Sequence, residues 1–136
     1  MNKTKQKQPD GKKAHNDDKI IIVGRIRYNS WATKVLKARN IAIYESGLVH
    51  IQNRHKKELS LLGQTALDFV NFIVKNYNQI RQGTGDSFLL CVKRENISNV
   101  AAIRLAVEEN QYIIKTVMLY NNAQLFGKKL LCANDH

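Results

Sequence analysis

A chain of 136 residues, 43% hydrophobic and 24% charged, suffices for one domain with a core and is too short for two. Its formal net charge of +11 points to a polyanionic partner: nucleic acid, an anionic membrane surface or an acidic protein. No apolar run approaches the roughly 18–20 residues that span a bilayer, and no signal peptide opens the chain, so the expectation is a cytoplasmic protein without a membrane segment.

Residues 1–18, MNKTKQKQPDGKKAHNDD, lack apolar periodicity and hold the single proline; they read as a disordered basic tail ahead of a domain over 19–136. Ile20–Val23, followed by Gly24, reads as a strand. Asn29 or Ser30 is placed to cap a short helix from Trp31 to Arg39, with Lys34, Lys37 and Arg39 outward. Ile41–Tyr44 is extended, and Ser46 is placed to cap a helical turn through Leu48 and Ile51 to His55. Leu59, Leu62, Ala66, Phe69, Val70, Ile73, Tyr77 and Ile80 form one stripe of 3.6-residue period, which predicts a long core helix ended by Gly83-Thr-Gly85. The period then changes to two. Phe88–Lys93, Val100–Val107 and Gln111–Tyr120 are three strands joined by links of hairpin length, Arg94–Asn99 and Glu108–Asn110. Ala123–Leu131 adds a further strand or turn. The fold class expected is α+β: N-terminal helices, one of them long, packed on an antiparallel meander of three to four strands.

The charge is unevenly spread. Residues 20–57 carry eight Lys or Arg against Glu45 alone, whereas residues 58–136 carry eight against seven acids. Such a concentration fits a polyanion footprint better than a solubilising face. Cys91 and Cys132 stand far apart, with no CxxC pair and no histidine at ligand spacing. Neither a disulfide framework nor a zinc site is expected, and Cys91 reads as a buried thiol.

His50 and His55 lie inside this basic stretch, in Leu-Val-His-Ile-Gln-Asn-Arg-His. Histidine is the side chain best suited to moving protons near neutral pH. RNA brings its own nucleophile, the 2′-hydroxyl. Two imidazoles and an Arg or Lys are sufficient to cleave it without a metal. The obstacle is geometric: a five-residue offset separates two side chains by about 140° on a regular helix. On the strands, Leu89, Cys91 and Lys93 share one face, opposite Phe88, Leu90 and Val92. Arg104 falls opposite Ile103 and Leu105. Tyr112, Thr116 and Tyr120 fall opposite Ile113, Val117 and Leu119. If the apolar sets cover the helix, the other face gathers Lys93, Arg104, Thr116 and Tyr120, a cationic and hydroxyl-bearing surface fit to grip a phosphate. The plain alternative is the solvent side of a one-sided sheet. Gly83-Thr-Gly85 follows a helix instead of preceding one, so it is not a nucleotide loop. Glu45 is the one acid near the histidines.

In order and content these stretches resemble the phage and polymorphic-toxin nucleases of the barnase, EndoU, colicin and RelE group of small ribonucleases. The stretches are Ser46–His55, Val92-Lys93, Val100–Leu105 and Ile114–Tyr120, together covering about residues 41–120. The resemblance implies a metal-independent RNA endonuclease without cofactor, with a site formed by His55 or His50, Arg54, Lys93 and Thr116. Substrate contacts are expected from Lys34, Lys37, Arg39, Arg104 and Tyr120. It further implies transfer RNA as a substrate and an acidic immunity or antitoxin protein as partner. Two rivals remain: a non-catalytic RNA- or DNA-binding module, and an accessory protein of a phage or mobile element that works through protein contacts.

Overall fold

The computed structural model describes residues 18–106 and 109–134. The tail expected over residues 1–18 lies outside them apart from Asp18, as do Val107 and Glu108 of the expected second strand and its link.

The apolar runs become strands β1 (Ile20–Arg25), β2 (Asn40–Tyr44), β3 (Gln79–Gln82), β4 (Phe88–Val92), β5 (Ile97–Ala106), β6 (Gln111–Asn121) and β7 (Leu130–Ala133). They form one seven-stranded sheet in the order β1-β2-β6-β5-β4-β3-β7. All neighbours are antiparallel except β2 and β6. The helices are α1 (Glu45–Arg54), α2 (Lys56–Leu62), α3 (Ala66–Asn76) and α4 (Asn122–Phe126). The class is therefore α+β, with a wider sheet than the meander expected from the alternating runs.

The expected long helix is two helices and a strand. Gly63 adopts φ 64° and ends α2, a left-handed conformation that glycine takes at little cost. Thr65 then opens α3 through a capping box in which its hydroxyl accepts from Asp68 N–H while the Asp68 carboxylate accepts from Thr65 N–H. The 3.6-residue stripe runs across this break because Leu59, Phe69, Val70 and Ile73 all bury against the same sheet. Ile80, its last member, belongs to β3, and Gly83–Gly85 turn the chain from β3 into β4. The segment Trp31–Arg39 holds only a single 3-10 turn, Trp31–Lys34. It stops there because Lys37 N–H donates to the Tyr112 hydroxyl (3.1 Å) instead of continuing a helical ladder. Ser46 does not cap α1: it lies in the first turn, and its N–H and hydroxyl both donate to the Asp18 carboxylate.

One core layer lies between the sheet and α1–α3. It includes Ile51, Leu59, Phe69, Val70 and Ile73 from the helices and Ile43, Ile80, Leu90, Ile103 and Val117 from the strands. Each such side chain contributes about 1.5–3 kcal/mol by leaving water. Gly24 is where β1 meets α3: a Cβ there would stand 2.3 Å from Val74 Cγ1. The opposite face is not simply solvated. Leu125 of α4 packs there with Leu89, Cys91, Val100 and Ala102, flanked by Met118 and Tyr120. Buried Arg81 fastens α4 in place, donating from Nη1 to the carbonyls of Lys128 (2.7 Å) and Leu125 (3.3 Å).

Candidate active site

The alternation read along β6 is correct for only part of the strand. Opposite β5, Ala102 faces Thr116, but Ile103 faces Ile114, which leaves Lys115 as an extra residue. This slip inverts the parity. Tyr112 and Ile114 point into the helix-side core before it, and Val117 does so after it. The expectation that Tyr112 lies on the outer face is thereby overturned. Thr116, Met118 and Tyr120 fall in line with Ala102, Val100 and Ser98 on the outer face. An irregularity of this kind re-aims side chains and recurs beside active sites.

β2 accompanies β6 only at Ile41–Tyr112 and Ala42–Ile113, then turns into α1. From Ile114 onward, no described strand lies along that edge of β6. α1 takes the place of the missing strand, and its polarity suits the helix dipole, with Glu45 in the first turn and Arg54 in the last. Ile51 anchors it to the core. His50 and Arg54, four residues apart, share a face. A groove of about 320 Å³ results, lined by His50, Arg54 and His55 on one side and Thr116, Met118 and Tyr120 on the other.

The helix does not stay regular to His55, and this removes the obstacle of the five-residue offset. His55 has φ −113° and ψ 28°; its N–H donates to Ile51 O and its own carbonyl accepts from Leu59 N–H, both at 2.9 Å. The residue thus closes α1 and opens α2, and the break lets both histidines line one groove. The His55 side chain is 20% exposed, with Nδ1 3.7 Å from Glu58 Oε2, an ion-pair distance and not a hydrogen bond. Its Nε2 is buried without a hydrogen-bond partner among the described residues. Apolar residues Ile51, Leu59, Phe69 and Leu119 stand on its other side. A buried ring nitrogen without a partner costs about 1–3 kcal/mol. The Thr116 hydroxyl has only a long contact, 3.4 Å to Val117 O, and so keeps its hydrogen-bonding capacity for a ligand. Among the described residues Arg54 is in no ion pair.

Of the residues expected at the site, His50, Arg54, His55, Thr116 and Tyr120 come together. Lys93 does not: it lies at the end of β4, its ammonium 5.6 Å above the Phe126 ring and donating to the Arg94 carbonyl. Arg104 lies on the outer face beside a separate cavity shared with Lys115, and pairs with Asp86 at 3.2 Å. Lys37 and Arg39 line a different groove near Asn110, and Lys34 sits on the adjacent 3-10 turn. Glu58 replaces Glu45 as the acid beside a histidine; its place three residues after His55 was the signal for it, given a helix continuing past that residue. Val117 and Met118 also line the groove, and pattern alone did not single them out as site residues. Among the described residues no three His, Cys, Asp or Glu side chains converge as a metal-ligand set, and no helix is long and apolar enough to cross a membrane. No protein-family model, curated protein or solved structure matches the chain.

Proposed function

We propose that this protein is a metal-independent endoribonuclease of the toxin type, working in the α1–β6 groove. The observation that carries the reading is that two imidazoles, a guanidinium in no ion pair among the described residues and two hydroxyls, drawn from distant parts of the chain, line one groove of about 320 Å³. His55, with Nδ1 facing Glu58, is the general base that takes the 2′-hydroxyl proton on Nε2, which the RNA reaches by displacing the groove side chains that bury it. The 2′-oxygen then attacks phosphorus, forming a 2′,3′-cyclic phosphate as the bond to the 5′-oxygen breaks. His50, exposed at the groove, donates the proton that the departing 5′-oxygen needs. Arg54 neutralises charge on the phosphoryl oxygens, and Thr116 and Tyr120 hydrogen-bond to them. Transfer RNA as the substrate, and an acidic antitoxin protein as partner, follow from the resemblance to the toxin nucleases and from the chain's net charge of +11.

The expected result with total RNA in EDTA is a set of discrete fragments ending in 2′,3′-cyclic phosphate, lost in His50→Ala and His55→Ala. Cleavage that appears only on adding a divalent metal overturns the mechanism. The displacement of Lys34, Lys37 and Arg39 from the groove favours one second reading, a nucleic-acid-binding accessory protein of a phage or mobile element. In that case the RNA comes through the same incubation intact.

A further inference from the structure

A basic segment without a single acid lies away from the histidine groove. Arg25, Arg27, Lys34, Lys37 and Arg39 follow one another with no Asp or Glu anywhere in residues 20–44. Among the described residues none of these cations, nor Lys75 beside them, is in an ion pair. Two grooves flank the segment. One, of about 480 Å³, is lined by Arg25, Arg27, Trp31 and Lys75. The other, of about 450 Å³, is lined by Tyr28, Lys37, Arg39 and Asn110.

On the second groove Tyr28 stands 78% exposed, with the Arg25 guanidinium 6.0 Å from its ring centre. It is held up by a tight turn. Asn29 adopts φ 61°, and the N–H and hydroxyl of Ser30 both donate to Arg27 O. The segment under this turn is fixed. Ile26, Ala32 and Leu36 are buried, Ile26 N–H donates to Arg39 O at 2.8 Å, and the Cys132 thiol donates to Trp31 O. Tyr28 thus presents a large aromatic ring on a well-packed segment whose cations are in no ion pair among the described residues. This is the make-up of a single-strand nucleic-acid site, where phosphates meet cations and a base stacks on a ring.

We infer that the segment 25–39 is a second, non-catalytic site that binds a single-stranded stretch of the RNA, with Tyr28 as its stacking platform. This rests on RNA as the substrate but not on its cleavage. The segment joins the start of β6 through Lys37 and Tyr112, whereas the histidine groove uses β6 from Thr116 to Tyr120. Strand rise puts Tyr112 and Tyr120 roughly 26 Å apart. The cavity holding Lys115 and Arg104 lies on the path between them. At about 3.4 Å per stacked nucleotide, a strand engaging both sites needs roughly eight nucleotides. The site would select RNA with an unpaired stretch beside the cut.

The test is fluorescence anisotropy of the full chain with a labelled 12-nucleotide 2′-O-methyl RNA in EDTA, a probe that binds but has no free 2′-hydroxyl to react. Tyr28→Ala is expected to weaken binding about tenfold, within the range of one base–aromatic stack. Arg25→Ser/Arg27→Ser and Lys37→Ser/Arg39→Ser should each lower the slope of log affinity against log salt by roughly 1.4, or 0.7 per cation on a single strand. A duplex of the same length should be indifferent to Tyr28→Ala. Wild-type affinity and slope in all three variants, in proteins that melt like wild type, overturn the inference. So does a duplex that loses as much affinity as the single strand. Binding that responds as expected in a protein that cleaves no RNA would sink the ribonuclease reading alone; cleavage with unresponsive binding would sink this site alone.

Discussion

Replacing His55 by leucine separates a catalytic histidine from a structural one, because the two roles predict opposite signs. The substitution removes a ring nitrogen, Nε2, that is buried and unpartnered among the described residues, a relief of about 1–3 kcal/mol. Against this stands the loss of the 3.7 Å contact to Glu58, whose side chain is half exposed; such pairs are worth about 0–1 kcal/mol. Leucine also suits the neighbouring Ile51, Leu59, Phe69 and Leu119. The balance is about 1 kcal/mol in favour of the variant, or roughly 4 °C in Tm for a domain of this size. Losing the general base should meanwhile cut turnover by about 10²–10⁴-fold. The measurement pairs a thermal melt with the initial rate on a labelled RNA. A variant that melts several degrees lower and cleaves normally per folded molecule would refute the reasoning, since His55 would then be held in place for packing.

Thr116→Val keeps the branched shape that suits the strand and removes only the hydroxyl, so cleavage should fall about tenfold with Tm unchanged; equal rates in the two proteins would take the hydroxyl out of the site. Burial pushes the Cys91 thiol up to about 12, with the Arg81 cation partly opposing the shift, whereas in the unfolded chain it titrates near 8.5. The stability from keeping it neutral is therefore complete below about pH 8.5 and drains away as pH rises toward 12. The urea midpoint should drop over that window more steeply in wild type than in Cys91→Ala, and parallel curves would contradict this. Gly24→Ala drives a methyl into Val74 and should cost about 1–3 kcal/mol. Val74→Ala in the same chain should recover part of that loss in a denaturant titration, and strictly additive costs would show that the two residues do not meet.

Much of this arrangement was legible in the sequence. The alternation in β4 and β5 assigned Leu90, Val92 and Ile103 to one face and Leu89, Cys91 and Arg104 to the other, because both strands pair without interruption from Phe88–Ile103 to Val92–Asn99. β6 misled where its register against β5 slips at Lys115, since a slip is a property of two strands together and leaves no mark in either alone. Gly63 and the Thr65–Asp68 box do mark the break between α2 and α3. They were outweighed by an apolar stripe that persists because both helices cover the same sheet. β3 carries only Ile80 toward the helices while its other buried residue is Arg81, so it shows no alternation of apolar and polar residues. The histidine pair was visible as chemistry, but its convergence depends on the non-helical backbone of His55, which no residue spacing encodes.

The strand order also sets a timetable for synthesis. β2 and α1 are made early, yet their neighbour in the sheet is β6, reached only after β3, β4 and β5 have been translated. Long-range pairing of this sort is slow, and it cannot begin until both partners exist. An incomplete chain on the ribosome carries His50, Arg54 and His55 with nothing opposite them. The groove closes only when Thr116 and Tyr120 dock against α1, so the ribonuclease activity proposed above is expected only once the chain is nearly complete.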